Sequence, residues 1–130
     1  MPHQFNKLTP NLVVADIERS LAFYRDVLGF TVETTVPDAA PFVFAIVRSG
    51  AVEIFLNAPQ PALAEYPALA GRPIGGTLTL FIEVKGIDQS YDALKDRATV
   101  VMPLETKWYG MTEFAIADPD GYLITFAERK

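Results

Sequence analysis

The chain has 130 residues, half of them hydrophobic and 21% charged, with no cysteine and a formal net charge of −5. That is one domain's worth of chain, too apolar for disorder, and it excludes disulfides, thiolate metal sites and a cysteine nucleophile. The 11 basic residues are scattered singly among 16 acidic ones, which disfavours nucleic-acid binding and makes a cationic small ligand electrostatically welcome.

No apolar run approaches the roughly 20 residues of a membrane helix, and Met1–Pro10 lacks a signal-peptide pattern. The expectation is a cytoplasmic protein with no membrane partner. In chain order, Leu8–Val14 reads as a strand with Leu12 and Val14 on one face and Thr9, Asn11 and Val13 on the other. Asp16 is placed to cap a helix with Glu18 in its first turn, the stripe Ile17, Leu21, Tyr24 and Leu28, and Gly29 as its stop. Strands follow at about Phe30–Val36, Phe42–Arg48 and Ala51–Asn57, the last two joined by a Ser-Gly turn. Phe42, Phe44 and Ile46 share a face. So do Val52, Ile54 and Leu56, with Glu53 and Phe55 opposite.

Residues 58–76 are rich in Pro, Ala and Gly and read as a flexible linker with a short helical turn around Ala62–Tyr66. Its glycines are not followed by Lys-Ser or Lys-Thr, so they form no phosphate loop. Leu78, Leu80, Ile82 and Val84 then alternate along a further strand, and Gly86 takes the helix-entry position that Asp16 held. The correspondence is positional. Val14 and Val84, Ile17 and Ile87, Ser20 and Ser90, and Phe44 and Phe114 are all 70 apart. The tripeptide Phe-Ala-Ile recurs at 44–46 and 114–116, and the stripe Ile87, Tyr91, Leu94 repeats Ile17, Leu21, Tyr24. One unit is therefore written twice, at about 6–57 and 77–127, within a single domain. The final hairpin turns at Asp118-Pro119-Asp120-Gly121, where each residue already has a turn-forming role, so its aspartates read as structural and not as metal or acid–base groups.

A repeated βαβββ unit carrying Ser20-x-x-Phe23-Tyr24, Leu28-Gly29-Phe30 and the Asp118–Gly121 tetrad resembles the vicinal oxygen chelate superfamily of glyoxalases, extradiol dioxygenases and antibiotic resistance proteins. The resemblance implies an α+β fold of eight mixed strands and two main helices, a homodimer, and sheets that cup a cavity away from the helices. With Leu12, Val14, Ile54, Leu56, Leu80, Ile82, Ile124 and Phe126 under the helices, Thr9, Asn11, Glu53, Phe55, Thr79, Phe81 and Thr125 face the cup. The positions equivalent to the family's metal ligands fall on Thr9, Glu53, Thr79 and Thr125, of which only Glu53 is a good donor, and His3 is the sole histidine. Neither metal nor other cofactor is expected.

Thr9-Pro10-Asn11-Leu12, the Ser20–Phe30 motif and Tyr109-Gly110 are most similar to the bleomycin resistance branch, which implies sequestration of a planar cationic small molecule at a dimer interface. The candidate ligand residues are Asn11, Glu53, Phe55, Thr79, Phe81, Trp108, Tyr109 and Thr125, with the Pro-rich segment 58–73 as a rim. Phe23, Phe30, Phe44, Phe114 and Phe126 are assigned to the core. Glu53 is left as a counter-ion, a solvated strand residue or a general base; unless a cation partners it, an inward carboxylate there should protonate readily. The alternative reading is a divergent lyase, isomerase or dioxygenase using Glu53 or an unrecognised metal site.

Overall fold

In a computed structural model, which describes residues 3–130, two four-stranded mixed sheets each carry one main helix on the core side. The first module comprises β1 (Asn11–Val13), α1 (Ile17–Ala22), β2 (Thr31–Val36), β3 (Phe44–Ser49) and β4 (Val52–Asn57) in the sheet order β1-β4-β3-β2. After α2 (Pro59–Glu65), the second module repeats the plan with β5 (Thr79–Glu83), α3 (Ile87–Leu94), β6 (Thr99–Thr106), β7 (Met111–Ala117) and β8 (Leu123–Arg129), in the order β5-β8-β7-β6. β1 runs parallel to β4 and β5 to β8, and the other pairs are antiparallel. The α+β fold of two βαβββ units is thus as the pattern predicts.

The first strand is shorter than its apolar alternation suggests, because Pro10 has no N–H to give the ladder; its carbonyl still accepts from the Phe55 amide at 2.9 Å. Asp16 accepts from the Arg19 amide at 3.2 Å and caps α1, a bond of about 1 kcal/mol. The helix then widens into a π turn over Phe23–Val27, where the Leu28 amide reaches the Phe23 carbonyl at 3.1 Å. Gly86 has no side chain to cap α3. Glu128 of β8 substitutes, accepting from the amides of Gly86 at 3.0 Å and Ile87 at 2.9 Å. α1 packs on β3 and β4, α3 on β7 and β8, and the two covered faces merge into one hydrophobic cluster that includes Leu12, Tyr24, Ile54, Ile87, Phe114 and Ile124.

The segment 58–76 is more structured than its composition suggests. Its helix begins at Pro59, three residues earlier than the sequence pattern indicates, since a proline at a helix start gives up an amide that has no partner anyway. At its end, Gly75 has a φ of +84° and lies so close to the Asp118–Gly121 turn that a Cβ would stand 2.2 Å from the Asp120 carbonyl oxygen. Only glycine permits that approach.

One expectation about the core fails. Phe44 does not join it: Ala45 and Val47 are the buried residues of β3, while Phe44 lies on the opposite face, edge-on to Phe55 with ring centroids 5.3 Å apart. Phe114 is fully buried. The strand registers explain the difference, since Ala45 pairs with Leu56 as Phe114 pairs with Phe126. The structural counterpart of Phe114 is therefore Ala45, and the repeated Phe-Ala-Ile is out of step by one residue.

Candidate functional site

Glu53 stands on β4 directly across from Arg48 on β3. Its side chain is only 8% exposed, and both oxygens are engaged: one receives Lys7 Nζ at 2.5 Å and the Thr9 hydroxyl at 3.4 Å, the other the Arg48 guanidinium, which also pairs with Glu33. The hydrogen bond from Lys7, which outweighs the opposing burial, and the charges of Arg48 and Lys7 hold the Glu53 carboxyl below the usual carboxylate range. The cations that decide its state are thus supplied by the chain itself. A carboxylate so held is a weak proton acceptor and has little charge left to offer a ligand.

The concave face of the second module is built differently. Register places Phe81, Thr125, Ala115 and Met102 in one row, and Glu83, Ala127 and Glu113 in the next. The matching positions of the first module are Asn11, Phe55 and Ile46, then Val13, Asn57 and Phe44. At the matched central positions, Phe44, Ile46 and Phe55 therefore floor the first cup, whereas Glu113, Ala115 and Thr125 floor the second. Glu113 is 4% exposed. Its Oε2 accepts the Tyr109 hydroxyl at 2.7 Å, while its Oε1 accepts no hydrogen bond among the described residues. That bond raises the Tyr109 phenol above its ordinary value.

Trp108 and Tyr109 form the tip of the β6–β7 hairpin, where the Lys107 amide bonds the Met111 carbonyl at 2.7 Å and Gly110 takes a φ of +92°. The two rings meet edge-on with centroids 5.3 Å apart, and Trp108 is 94% exposed. Phe81, on the same concave sheet, is 56% exposed. Lys107 lies 3.7 Å from Glu105, which offsets its charge near this rim.

The predicted residues do not form one site. Glu53, Thr79 and Phe81 line an open cleft of about 460 Å³ between the two modules, with Leu8 and Pro10. Asn11 lies elsewhere, in a groove of about 290 Å³ under the linker, where it accepts the Asn57 side-chain amide at 2.6 Å. Phe55 is packed against Phe44. Thr125 pairs with Phe81 and Ala115 on the second concave face, and Trp108 and Tyr109 stand at the tip of the β6–β7 hairpin. The segment 58–73 does wall a cavity, as a rim would, but it is the groove around Asn11. Glu113 escaped the sequence reading. A signal was present: on β7 it alternates with Ala115 and Ala117, a lone carboxylate in a small-residue row beside Thr125.

Thr9, Glu53, Thr79 and Thr125, the positions to which the family resemblance points, do not fit a divalent ion. Three are threonines, and the one carboxylate is already bonded to Lys7, Thr9 and Arg48. Among the described residues no three His, Asp or Glu side chains gather at ion-binding distance. No helix among them is long and apolar enough to cross a membrane.

The Asp118–Gly121 turn holds structure together, as its sequence implies. Asp118 accepts the buried Tyr24 hydroxyl at 2.8 Å and the amides of Asp120 and Tyr122, both at 2.9 Å. Asp120 accepts the Ala15 amide and the Arg19 guanidinium, both at 3.0 Å, and the Ser20 hydroxyl at 3.4 Å. Burial pushes the Asp118 carboxyl up, and burial together with the Asp118 charge pushes the Tyr24 phenol up.

The family model described as the glyoxalase/bleomycin resistance protein/dioxygenase superfamily matches residues 4–126. Bleomycin resistance proteins of Geobacillus stearothermophilus and Staphylococcus aureus are 33% identical over 125 residues, covering 92% of this chain and 94% of theirs. The crystal structure of a glyoxalase/bleomycin resistance protein/dioxygenase from Nocardioides superposes with a TM-score of 0.81 at 23% identity, covering 99% of this chain and 86% of that one.

Proposed function

For a chain that belongs to the glyoxalase/bleomycin resistance protein/dioxygenase superfamily, we propose metal-independent binding of a planar cationic small molecule, in a homodimer, on the concave face of the second module. The observation that carries this reading is Glu113: a carboxylate only 4% exposed, with one oxygen unbonded among the described residues, on a floor of small residues, bonded to Tyr109, whose ring meets that of Trp108, and two strands from the exposed ring of Phe81. Aromatic rings and a desolvated negative charge together favour a flat cation over a neutral ring, through stacking, cation–π attraction and charge pairing. The bleomycin resistance proteins among its relatives support the same class of ligand.

Within this reading Phe81, Trp108 and Tyr109 stack on the ligand, Thr79 and Thr125 offer hydroxyls, and Glu113 balances charge. Glu53 neighbours the site as a neutralised, structural carboxylate. Asn11 and Phe55 shape the first module. Binding holds the ligand without bond-making, since the paired Glu53 is no base and the residues at the metal positions do not suit an ion.

Calorimetric titration with bleomycin and a panel of planar cations tests this. Glu113→Gln is expected to weaken binding about tenfold, a loss of about 1.4 kcal/mol, while Glu53→Gln changes it less than about twofold. Absence of heat with every cation, or equal losses from both variants, would refute the assignment.

A further inference from the structure

The groove under the linker lies apart from the residues proposed to hold a cation, and its chemistry is of the opposite kind. It has two adjoining parts that share Val13, Leu69 and Arg72. Asn11, Asn57 and Tyr66 wall the polar part, of about 290 Å³. Leu63, Ile74 and Tyr122 wall the apolar part, of about 180 Å³. No Asp or Glu lines either part. In a chain with 16 acidic and 11 basic residues, the single charge here is a cation.

The polar groups that remain unengaged are mostly donors. Asn57 spends its amide hydrogens on Asn11 Oδ1 at 2.6 Å and the Leu12 carbonyl at 3.1 Å, which leaves the Asn11 amide hydrogens free to donate. The Arg72 guanidinium and the Tyr66 hydroxyl make no hydrogen bond or ion pair among the described residues. A guanidinium fork presents two parallel N–H groups to a carboxylate, so this donor set suits that group better than a cation or an alcohol.

The walls are fixed by backbone bonds. The Arg72 amide bonds the Leu69 carbonyl at 3.1 Å and the Ala70 amide the Pro67 carbonyl at 3.1 Å, which anchors the loop bearing the guanidinium. Opposite, the Tyr122 hydroxyl donates to the Val13 carbonyl at 2.7 Å. Gly75 seats the end of the linker against the Asp120 carbonyl. A groove held this way loses little entropy when filled.

We propose that this groove is a second ligand site, for a small carboxylic acid with an aliphatic or aromatic body: the carboxylate on Arg72 and Asn11, the body against Leu63, Leu69 and Ile74. It is lined by none of Thr79, Phe81, Trp108, Tyr109, Glu113 and Thr125, so it stands or falls independently of cation binding.

The test titrates the full chain with 4-phenylbutyrate and, as the neutral counterpart, 4-phenylbutan-1-ol, following backbone amide shifts by NMR. The acid is expected to bind at least about tenfold more tightly than the alcohol and to shift amides of 57–74. Arg72→Gln, which alters an exposed side chain, should keep the parent melting temperature and lose at least about tenfold in acid affinity, with Arg72→Lys between. Trp108→Ala should leave acid binding unchanged. Three results would each overturn the site: no shifts at about 10 mM acid, acid and alcohol binding alike, or shifts centred on the second module. The map of shifted amides decides this even if a variant fails to fold.

Discussion

The two modules share a plan and differ at three matched places. On the concave face, the first presents Phe44, Ile46 and Phe55 where the second presents Glu113, Ala115 and Thr125. At the helix start, Asp16 caps α1 from within its own turn, whereas α3 depends on Glu128 from a distant strand. At the last hairpin, the first module turns through exposed Gly50 and Ala51, while the second turns through Asp118–Gly121 and bonds the other module. The strands tolerate such divergence because pairing depends on the backbone; what the side chains do on the outer face is free to drift.

If the hairpins differ as described, removing side chains from them should have very unequal effects. Asp118→Ala strips the buried Tyr24 hydroxyl and two turn amides of their acceptor and is expected to cost about 2–4 kcal/mol by urea denaturation. Ser49→Ala, in the matching turn, should stay within about 0.5 kcal/mol. A cost below about 1 kcal/mol for Asp118→Ala would show that the link is ornamental. The next largest effect concerns the floor. Ala115→Ile copies Ile46 into the second cup and is expected to cost about 1–3 kcal/mol of stability through overpacking. It should also weaken cation binding at least about tenfold in the same calorimetric titration, and unaltered binding would place the ligand elsewhere.

The smallest effect concerns the helix caps and depends on pH. Glu128, bonded by the Ile87 and Gly86 amides, titrates below its ordinary value of 4.5. The folded chain thus holds that proton more weakly than the unfolded one, so the carboxylate stabilises fully above 4.5, and the benefit is lost as pH falls through the lower folded value. Glu128→Gln should therefore lower the urea midpoint at neutral pH, and its deficit should close in acid. A deficit independent of pH would assign the effect to shape and not to charge.

Much of the fold was legible because period and punctuation agree: the Ile17, Leu21, Tyr24 stripe between Asp16 and Gly29 admits little but a helix, and strand alternation sets the faces of β4 and β5. Phe44 was misassigned for a physical reason. A single-residue difference in loop length reverses a strand's two faces, and a repeated tripeptide carries no information about which loop absorbed it. The site was harder to read. Glu53 looked like an open carboxylate because Lys7 and Arg48 approach it only in three dimensions, although Arg48 could have been paired with it across the Ser-Gly turn. Arg72 gave no signal in a segment read as flexible.

Six residues, 48–53, lie between Val47 and its cross-strand partner Ile54, whereas seven, 117–123, separate Ile116 from Ile124. That surplus residue is found in the arm that clasps the opposite half. A flawlessly duplicated chain would have had two short arms and no clasp. Its halves are fastened by a lapse in their likeness.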